Sequence, residues 1–153
     1  MHKLIATGLG IGYIRKGGGT VASVICCGVW YLAYSGSGHS SGYPVLVPLL
    51  ITVLITTIGI WSATVVEEQW GKDSYRVVID EVAGMCLSLL FIPITIKTLL
   101  IGLLLFRLFD IVKPLGIRRL EKVPGGWGVM LDDILAGVYA NLLLQSALAL
   151  NLL

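Results

Sequence analysis

The acidic side chains of this chain border its apolar segments, where carboxylates could hold a metal ion. Five of them flank three apolar runs: Asp80 and Glu81, Asp110, and Asp132 and Asp133. Oxygen ligands with no histidine or cysteine nearby are the set preferred by Mg²⁺ or Mn²⁺. A hard cation held in this way polarises a phosphoryl group and activates water. The sequence therefore predicts a metal-dependent active site that acts on a phosphate ester.

Helix termini offer a structural explanation for part of this pattern. The acidic pairs at 80–81 and 132–133 are predicted to open helices, where carboxylates bind free N–H groups and favour the helix dipole. One acidic residue per helix would suffice for that role. A second one places like charges side by side, which helix capping does not require. Asp110 is predicted at a helix C-terminus, where an anion is disfavoured. Arg107, Asp110 and Lys113 follow one helical face, so a surface salt bridge could compensate.

Basic and glycine-rich residues near these acids could bind phosphate. Arg107, Lys113 and Arg118 could neutralise its charge beside a metal. The loop 124–128, which contains Gly126, could bring its backbone close to a head group or be a plain surface turn. The run 17–20 could bind phosphate at a helix N-terminus, although this signal is weak alone.

Composition places the chain in the membrane class. It has 153 residues, of which 56% are hydrophobic and only 13% charged, against about a quarter charged in soluble domains. The predicted fold is all-α: one domain, residues 1–153, forming a polytopic membrane bundle of about four to five membrane-embedded helices. The apolar segments that could form it are 20–34, 45–66, 81–92, 99–112 and 132–150. A net charge of +2 with no basic stripe argues against nucleic acid as a partner.

The distribution of lysine and arginine predicts the orientation. Basic residues fall at 15–16, in the loop 67–80 and in the loop 113–131, which places the N-terminus and both loops in the cytoplasm. A helical break near Pro93 would return the segments 81–92 and 99–112 to the same membrane face. The predicted topology then gathers every acidic residue at the cytoplasmic side.

Three motifs around these acids resemble the phosphatidylglycerophosphatase A family of bacterial membrane lipid phosphatases. They are Val-Ile-Asp-Glu-Val-Ala-Gly-Met at 78–85, Phe-Arg-Leu-Phe-Asp-Ile-Val-Lys-Pro at 106–114 and Gly-Gly-Trp-Gly-Val-Met-Leu-Asp-Asp-Ile-Leu-Ala-Gly-Val at 125–138. The motifs occur in the family's order and the resemblance spans nearly the whole chain. It implies an inner-membrane enzyme that removes the terminal phosphate of phosphatidylglycerophosphate, an anionic phospholipid, with Mg²⁺.

The resemblance also implies roles for individual residues. The metal and catalytic carboxylates would be Asp80, Glu81, Asp110, Asp132 and Asp133. Arg107 and Lys113 fall on the family's basic positions, and Thr20 and Ser23 fall on an N-terminal Gly-Thr-x-Gly-Ser stretch that this chain matches in part. Asp73 matches an acidic position before the first motif, and Glu67 and Glu68 are further candidates.

The sequence leaves open a second reaction route and three other classes of protein. Hydrolysis could use metal-activated water or pass through an aspartyl-phosphate. Another Mg²⁺-dependent head-group enzyme, of the CDP-alcohol phosphatidyltransferase class, would carry an Asp-Gly-x2-Ala-Arg signature, which is missing. A small ion transporter would hold its carboxylates near the middle of the bilayer rather than at segment ends. A purely structural membrane subunit would leave the doubled acids unexplained.

Overall fold

The computed structural model describes residues 1–34, 46–72, 74–114, 116–120 and 122–153, and all regular structure in these ranges is helical. The α-helices are α1 (His2–Ala6), α2 (Gly18–Tyr34), α3 (Leu46–Trp70), α4 (Ile79–Ser88), α5 (Ile96–Val112), α6 (Ile117–Leu120) and α7 (Gly126–Ala149), and a 3-10 turn spans Ile11–Tyr13. The prediction of an all-α fold is confirmed. The five predicted apolar segments correspond to α2, α3, α4, α5 and α7.

The last helix begins earlier than the sequence predicted. α7 starts at Gly126, directly after Gly125, whose φ of 71° is in the left-handed region that favours glycine. The N–H of Gly126 donates to Thr64 Oγ1 at 2.9 Å, which ties the start of α7 to α3. Asp132 and Asp133 consequently lie in the second turn of α7. The prediction that they open a helix is wrong, so helix capping does not explain their presence.

A break separates α4 from α5 and returns the chain to the same end of the bundle. α4 ends at Ser88, and α5 starts after Thr95, whose side chain caps the N–H of Thr98. Asn141 of α7 donates from Nδ2 to the carbonyl oxygens of Ser88 at 3.0 Å and Leu90 at 2.8 Å. These bonds satisfy carbonyl groups that the end of a helix leaves without partners. The predicted hairpin around Pro93 is confirmed.

A close backbone approach joins α4 to α7. A Cβ atom on Gly84 would lie 2.6 Å from the carbonyl oxygen of Asp133, and one on Gly137 would overlap the carbonyl oxygen of Gly84. Only glycine lets the two backbones touch in this way. Because Gly84 lies one turn after Asp80 and Gly137 one turn after Asp133, the crossing holds those two carboxylates side by side.

The outer surface of the bundle is apolar over much of its length. α3 and α7 are each long and apolar enough to cross a membrane, and α2 is a shorter apolar helix. Large apolar side chains face outward, among them Leu32 on α2 and Leu104 on α5, which are 83% and 69% exposed. An exposed apolar surface of this extent marks a protein that contacts lipid or another apolar partner.

Candidate active site

A polar cavity of about 250 Å³ opens at one end of the bundle. It lies where the first turn of α4, the last turn of α5, the start of α2 and the second turn of α7 meet. The five carboxylates that flank the apolar runs all line it: Asp80, Glu81, Asp110, Asp132 and Asp133. Tertiary structure therefore brings together acids that are separated by up to 53 residues in the chain.

Three of these carboxylates form a compact group at the α4–α7 crossing. Asp80, Glu81 and Asp133 each offer one oxygen atom, and these atoms all lie within 4.8 Å of one another. Asp80 and Asp133 are only 8% and 3% exposed. Like charges this close and this buried repel each other strongly, because the surroundings screen them poorly. The group needs a cation or protons to be stable.

The donor set and its unsatisfied atoms fit a hard divalent cation. Among the described residues, Glu81 Oε2 and Asp132 Oδ1 are buried and have no hydrogen-bond partner. A buried acceptor without a partner costs about 1–3 kcal/mol, more when it is charged. Burial also raises the pKa of Asp80 from its ordinary value of 3.8 to about 6, against opposing hydrogen bonds that involve Glu81. Carboxylate-only ligation of this kind suits Mg²⁺ or Mn²⁺.

Two basic side chains from the end of α5 reach into the cavity. Arg107 Nη1 lies 2.6 Å from Asp110 Oδ2 and 4.0 Å from Glu81 Oε1. The salt bridge predicted between Arg107 and Asp110 is confirmed. Within the described ranges, neither Nε nor Nη1 of Arg107 makes an aligned hydrogen bond. Nη1 already faces Asp110, so the Nε–H group is a donor on this side chain that a phosphate oxygen could use.

Lys113 bridges two helices rather than extending the ion pair along α5. Its Nζ lies 2.6 Å from Asp132 Oδ2 on α7. Lys113 ends α5 in the left-handed backbone conformation, with φ at 49°, which is uncommon for a residue with a side chain. The sequence-based prediction that Lys113 shares a face with Arg107 and Asp110 assumed that the helix continues through Lys113. α5 ends one residue before Lys113, so the left-handed turn at Lys113 sets the direction of its side chain.

The start of α2 forms another wall of the cavity. Gly17, Gly18 and Gly19 line it, and α2 begins at Gly18, so the free N–H groups of its first turn lie near the carboxylates. A Cβ atom on Gly19 would overlap the carboxylate of Glu81. Sequence reasoning found this segment but missed Arg15, which lines the same cavity and was used only to assign orientation. The position of Arg15 beside the glycine run could have indicated that it lies in the cavity.

Some of the residues predicted to bind phosphate lie outside the cavity. Thr20 is exposed on α2, whereas Ser23 is fully buried and donates from Oγ to the carbonyl oxygen of Gly19 at 2.9 Å. Arg118 is exposed and its Nη2 lies 3.4 Å from the carbonyl oxygen of Val112. Thr20, Ser23 and Arg118 are not among the described residues that line the cavity. Their distance from it follows from helix rotation, which the sequence motif does not define.

Of the remaining candidates, the three that the structure describes also lie elsewhere. Glu67 and Glu68 are in the last turns of α3, outside the cavity lining that the structure describes. Gly126 packs on α3, where a Cβ atom would overlap the carbonyl oxygen of Ile60, so its role is close helix contact. Asp73 lies outside the described residues.

The fold and the site together define a class: apolar helical proteins with a carboxylate cavity suited to a divalent cation and a phosphate ester. The chain belongs to the phosphatidylglycerophosphatase A family, whose model matches residues 4–148. The resemblance read from the three motifs is thereby confirmed. Members of this family are phosphatases, so the protein is a hydrolase.

Curated relatives match the chain over most of their own length. A Bacteroides thetaiotaomicron protein named "Putative phosphatidylinositol-3-phosphatase" is 39% identical, over 94% of this chain and 91% of that protein. Phosphatidylglycerophosphatase A of Haemophilus influenzae is 34% identical, over 90% of this chain and 82% of the relative. Phosphatidylglycerophosphatase A of Escherichia coli K12 is 32% identical, over 88% and 76% respectively. No solved structure matches the chain.

Proposed function

We propose that the protein hydrolyses the terminal phosphate monoester of phosphatidylglycerophosphate, releasing inorganic phosphate and phosphatidylglycerol, with Mg²⁺ as its metal and Mn²⁺ as a substitute. The observation that carries this proposal is the cavity where five carboxylates meet Arg107 and Lys113. The names of the Haemophilus influenzae and Escherichia coli relatives support the choice of substrate.

The carboxylates divide into two groups by their contacts. Asp80, Glu81 and Asp133 form the compact buried group and would hold the metal. Bound Mg²⁺ supplies charge neutralisation at the phosphate oxygens and lowers the pKa of water. Asp110 and Asp132 orient the basic side chains through their ion pairs with Arg107 and Lys113.

The chain's own groups can carry the remaining steps of the reaction. Arg107 and Lys113 bind the phosphate oxygens and stabilise the charge that develops on them. Asp132 accepts the proton of the attacking water through Oδ1, because its Oδ2 is held by Lys113. As the water oxygen bonds to phosphorus, the bond to the glycerol oxygen breaks, and that oxygen takes up the proton that Asp132 accepted, which returns the carboxylate to its starting state. An aspartyl-phosphate formed on one carboxylate is the competing route.

We place the protein in the bacterial cytoplasmic membrane as a single multi-pass domain, residues 1–153, with the cavity facing the cytoplasm. Supporting this, α3 and α7 are long and apolar enough to span. In this arrangement α2, α3, α7 and the α4–α5 hairpin make up the four to five membrane-embedded helices. Arg15 and Lys113 line the cavity, and basic residues concentrate on the cytoplasmic side of membrane proteins.

A second candidate substrate is phosphatidylinositol 3-phosphate. The name of the Bacteroides thetaiotaomicron relative favours it. Both lipids carry a phosphate monoester on an anionic phospholipid head group, so the same metal and basic residues could act on either. The size and hydrogen bonding of the alcohol beside the phosphate would then decide between them.

Phosphate release by purified protein in detergent micelles tests the proposal. We expect release from phosphatidylglycerophosphate that requires Mg²⁺ and exceeds release from phosphatidylinositol 3-phosphate. Asp80→Asn and Asp133→Asn should each lower kcat by about 100-fold or more. Glu68→Gln, an exposed carboxylate on α3, is the matched control. Activity that persists in EDTA, or in both aspartate variants, would exclude the metal site, and preference for the inositol lipid would reassign the substrate.

A further inference from the structure

A second, apolar cavity runs along the side of the bundle between α2, α3 and α4. Its volume is about 310 Å³. α4 contributes Ile79, Val82 and Cys86, which lie on one face of that helix, and α2 and α3 contribute side chains such as Val29 and Ile51. The apolar groove, as we name this cavity, has no counterpart in the hydrolytic chemistry described above.

The apolar groove and the polar cavity are lined by neighbouring residues of two helices. On α4, Ile79 lines the groove and the adjacent Asp80 lines the polar cavity. On α2, Gly19 lines the polar cavity and Ala22, one turn later, lines the groove. A molecule that placed a charged group among the carboxylates would therefore have an apolar surface within about one helical turn of it.

The length and exposure of the groove suit a lipid chain. It follows α2 from Ala22 to Tyr34, which corresponds to about 18 Å at the rise of an α-helix. Half of a bilayer's hydrocarbon core is about 15 Å thick. Ile25, Val29 and Ile51 line the groove and are 47%, 58% and 43% exposed. The groove thus opens sideways from the bundle, where lipid could enter.

We propose that the apolar groove binds one acyl chain of the phospholipid substrate while the head group occupies the polar cavity. This inference rests on the proposed function and extends it to the other end of the substrate. An acyl chain is the occupant that matches both observations, because it is apolar and covalently joined to a phosphate-bearing head. An acyl chain bound in the groove would hold the phosphate ester at a fixed position beside the carboxylates.

Kinetics with two substrates test the inference. Val29→Trp fills the groove, and Leu32→Trp on the same helix is the control, since Leu32 is 83% exposed and does not line it. We expect Val29→Trp to lower kcat/KM about tenfold for the diacyl lipid, because misplacing a reacting group is costly. Release from the deacylated head group should not change. Equal losses on both substrates, or no loss on the lipid, would overturn the inference.

A binding measurement separates failure of the groove from failure of the proposed function. We expect native mass spectrometry to show one dioleoyl phosphatidylglycerol retained by the unmodified protein and by Leu32→Trp, and lost from Val29→Trp. Equal retention by both variants would identify annular lipid only and overturn the inference. A dimer that Val29→Trp converts to monomer would assign the groove to a second copy of the chain and overturn it as well. Neither readout depends on phosphate release.

Discussion

Gly84 of α4 and Gly137 of α7 touch through their backbones, and each lies one helical turn beyond an aspartate of the candidate metal site. A Cβ atom on Gly137 would overlap the carbonyl oxygen of Gly84. The separation of the Asp80 and Asp133 carboxylates is thus governed by a contact between residues that carry no side chain. The crossing of α4 and α7 therefore contributes both to the packing of the bundle and to the geometry of the candidate metal site.

The crossing predicts that Gly137→Ala both destabilises the protein and weakens metal binding. The added methyl group must push α4 and α7 apart, and overpacking of this kind costs about 1–3 kcal/mol. Thermal unfolding in detergent, with and without Mg²⁺, measures both effects. We expect a lower Tm and a smaller rise in Tm on adding Mg²⁺.

Gly28→Ala is the matched control for that substitution. Gly28 lies on α2, and a Cβ atom there would meet nothing within 4 Å. Alanine should stabilise this helix by about 0.5–1 kcal/mol. If Gly137→Ala unfolded at the same temperature as Gly28→Ala, the close backbone contact would be absent in solution.

Metal binding should weaken as the pH falls, because protons and the metal compete for the same carboxylates. Burial raises the pKa of Asp80 to about 6. Between 3.8 and about 6, the folded metal-free protein keeps a proton that the unfolded chain releases. Without metal, the contribution of Asp80 to stability therefore declines as the pH rises through this window.

A divalent cation reverses that loss, since it stabilises the deprotonated form. The rise in Tm on adding Mg²⁺ should be larger at about pH 7.5 than at about pH 5. Asp80→Asn should remove most of this difference, because it removes one of the three carboxylates that would hold the metal. A Tm rise of equal size at both pH values in the unmodified protein would contradict the assignment of Asp80 as a ligand.

The ion pair between Lys113 and Asp132 predicts a loss of activity on Lys113→Gln. The substitution removes a positive charge 2.6 Å from Asp132 Oδ2, at a cavity that must also accept a phosphate. Loss of one such electrostatic contact typically lowers kcat by about 100-fold or more. Steady-state phosphate release gives the measurement.

Lys97→Gln is the control for this change. Lys97 is exposed in the first turn of α5, at the opposite end of the helix from Lys113. Its substitution removes the same charge from the same helix and should leave kcat unaltered. Similar activity in the two variants would show that Lys113 takes no part in the reaction.

The sequence by itself determined the class of fold and the candidate carboxylates. Long uncharged runs require helices that face an apolar medium, because backbone polar groups there must be satisfied internally. Local motifs identified the carboxylates around Asp80, Asp110 and Asp132, and Pro93 indicated the turn between α4 and α5. These features depend on composition and short-range order, which a sequence contains directly.

Only the tertiary structure decided which of these groups meet. The start of α7 at Gly126 depends on a hydrogen bond to Thr64, sixty-two residues away along the chain. The partner of Lys113 is Asp132 because a left-handed turn ends α5. Helix rotation directs Ser23 into the core and leaves the neighbouring glycines at the cavity. Such contacts depend on how rigid helices cross, and crossing geometry follows from the packing of the whole bundle rather than from any one motif.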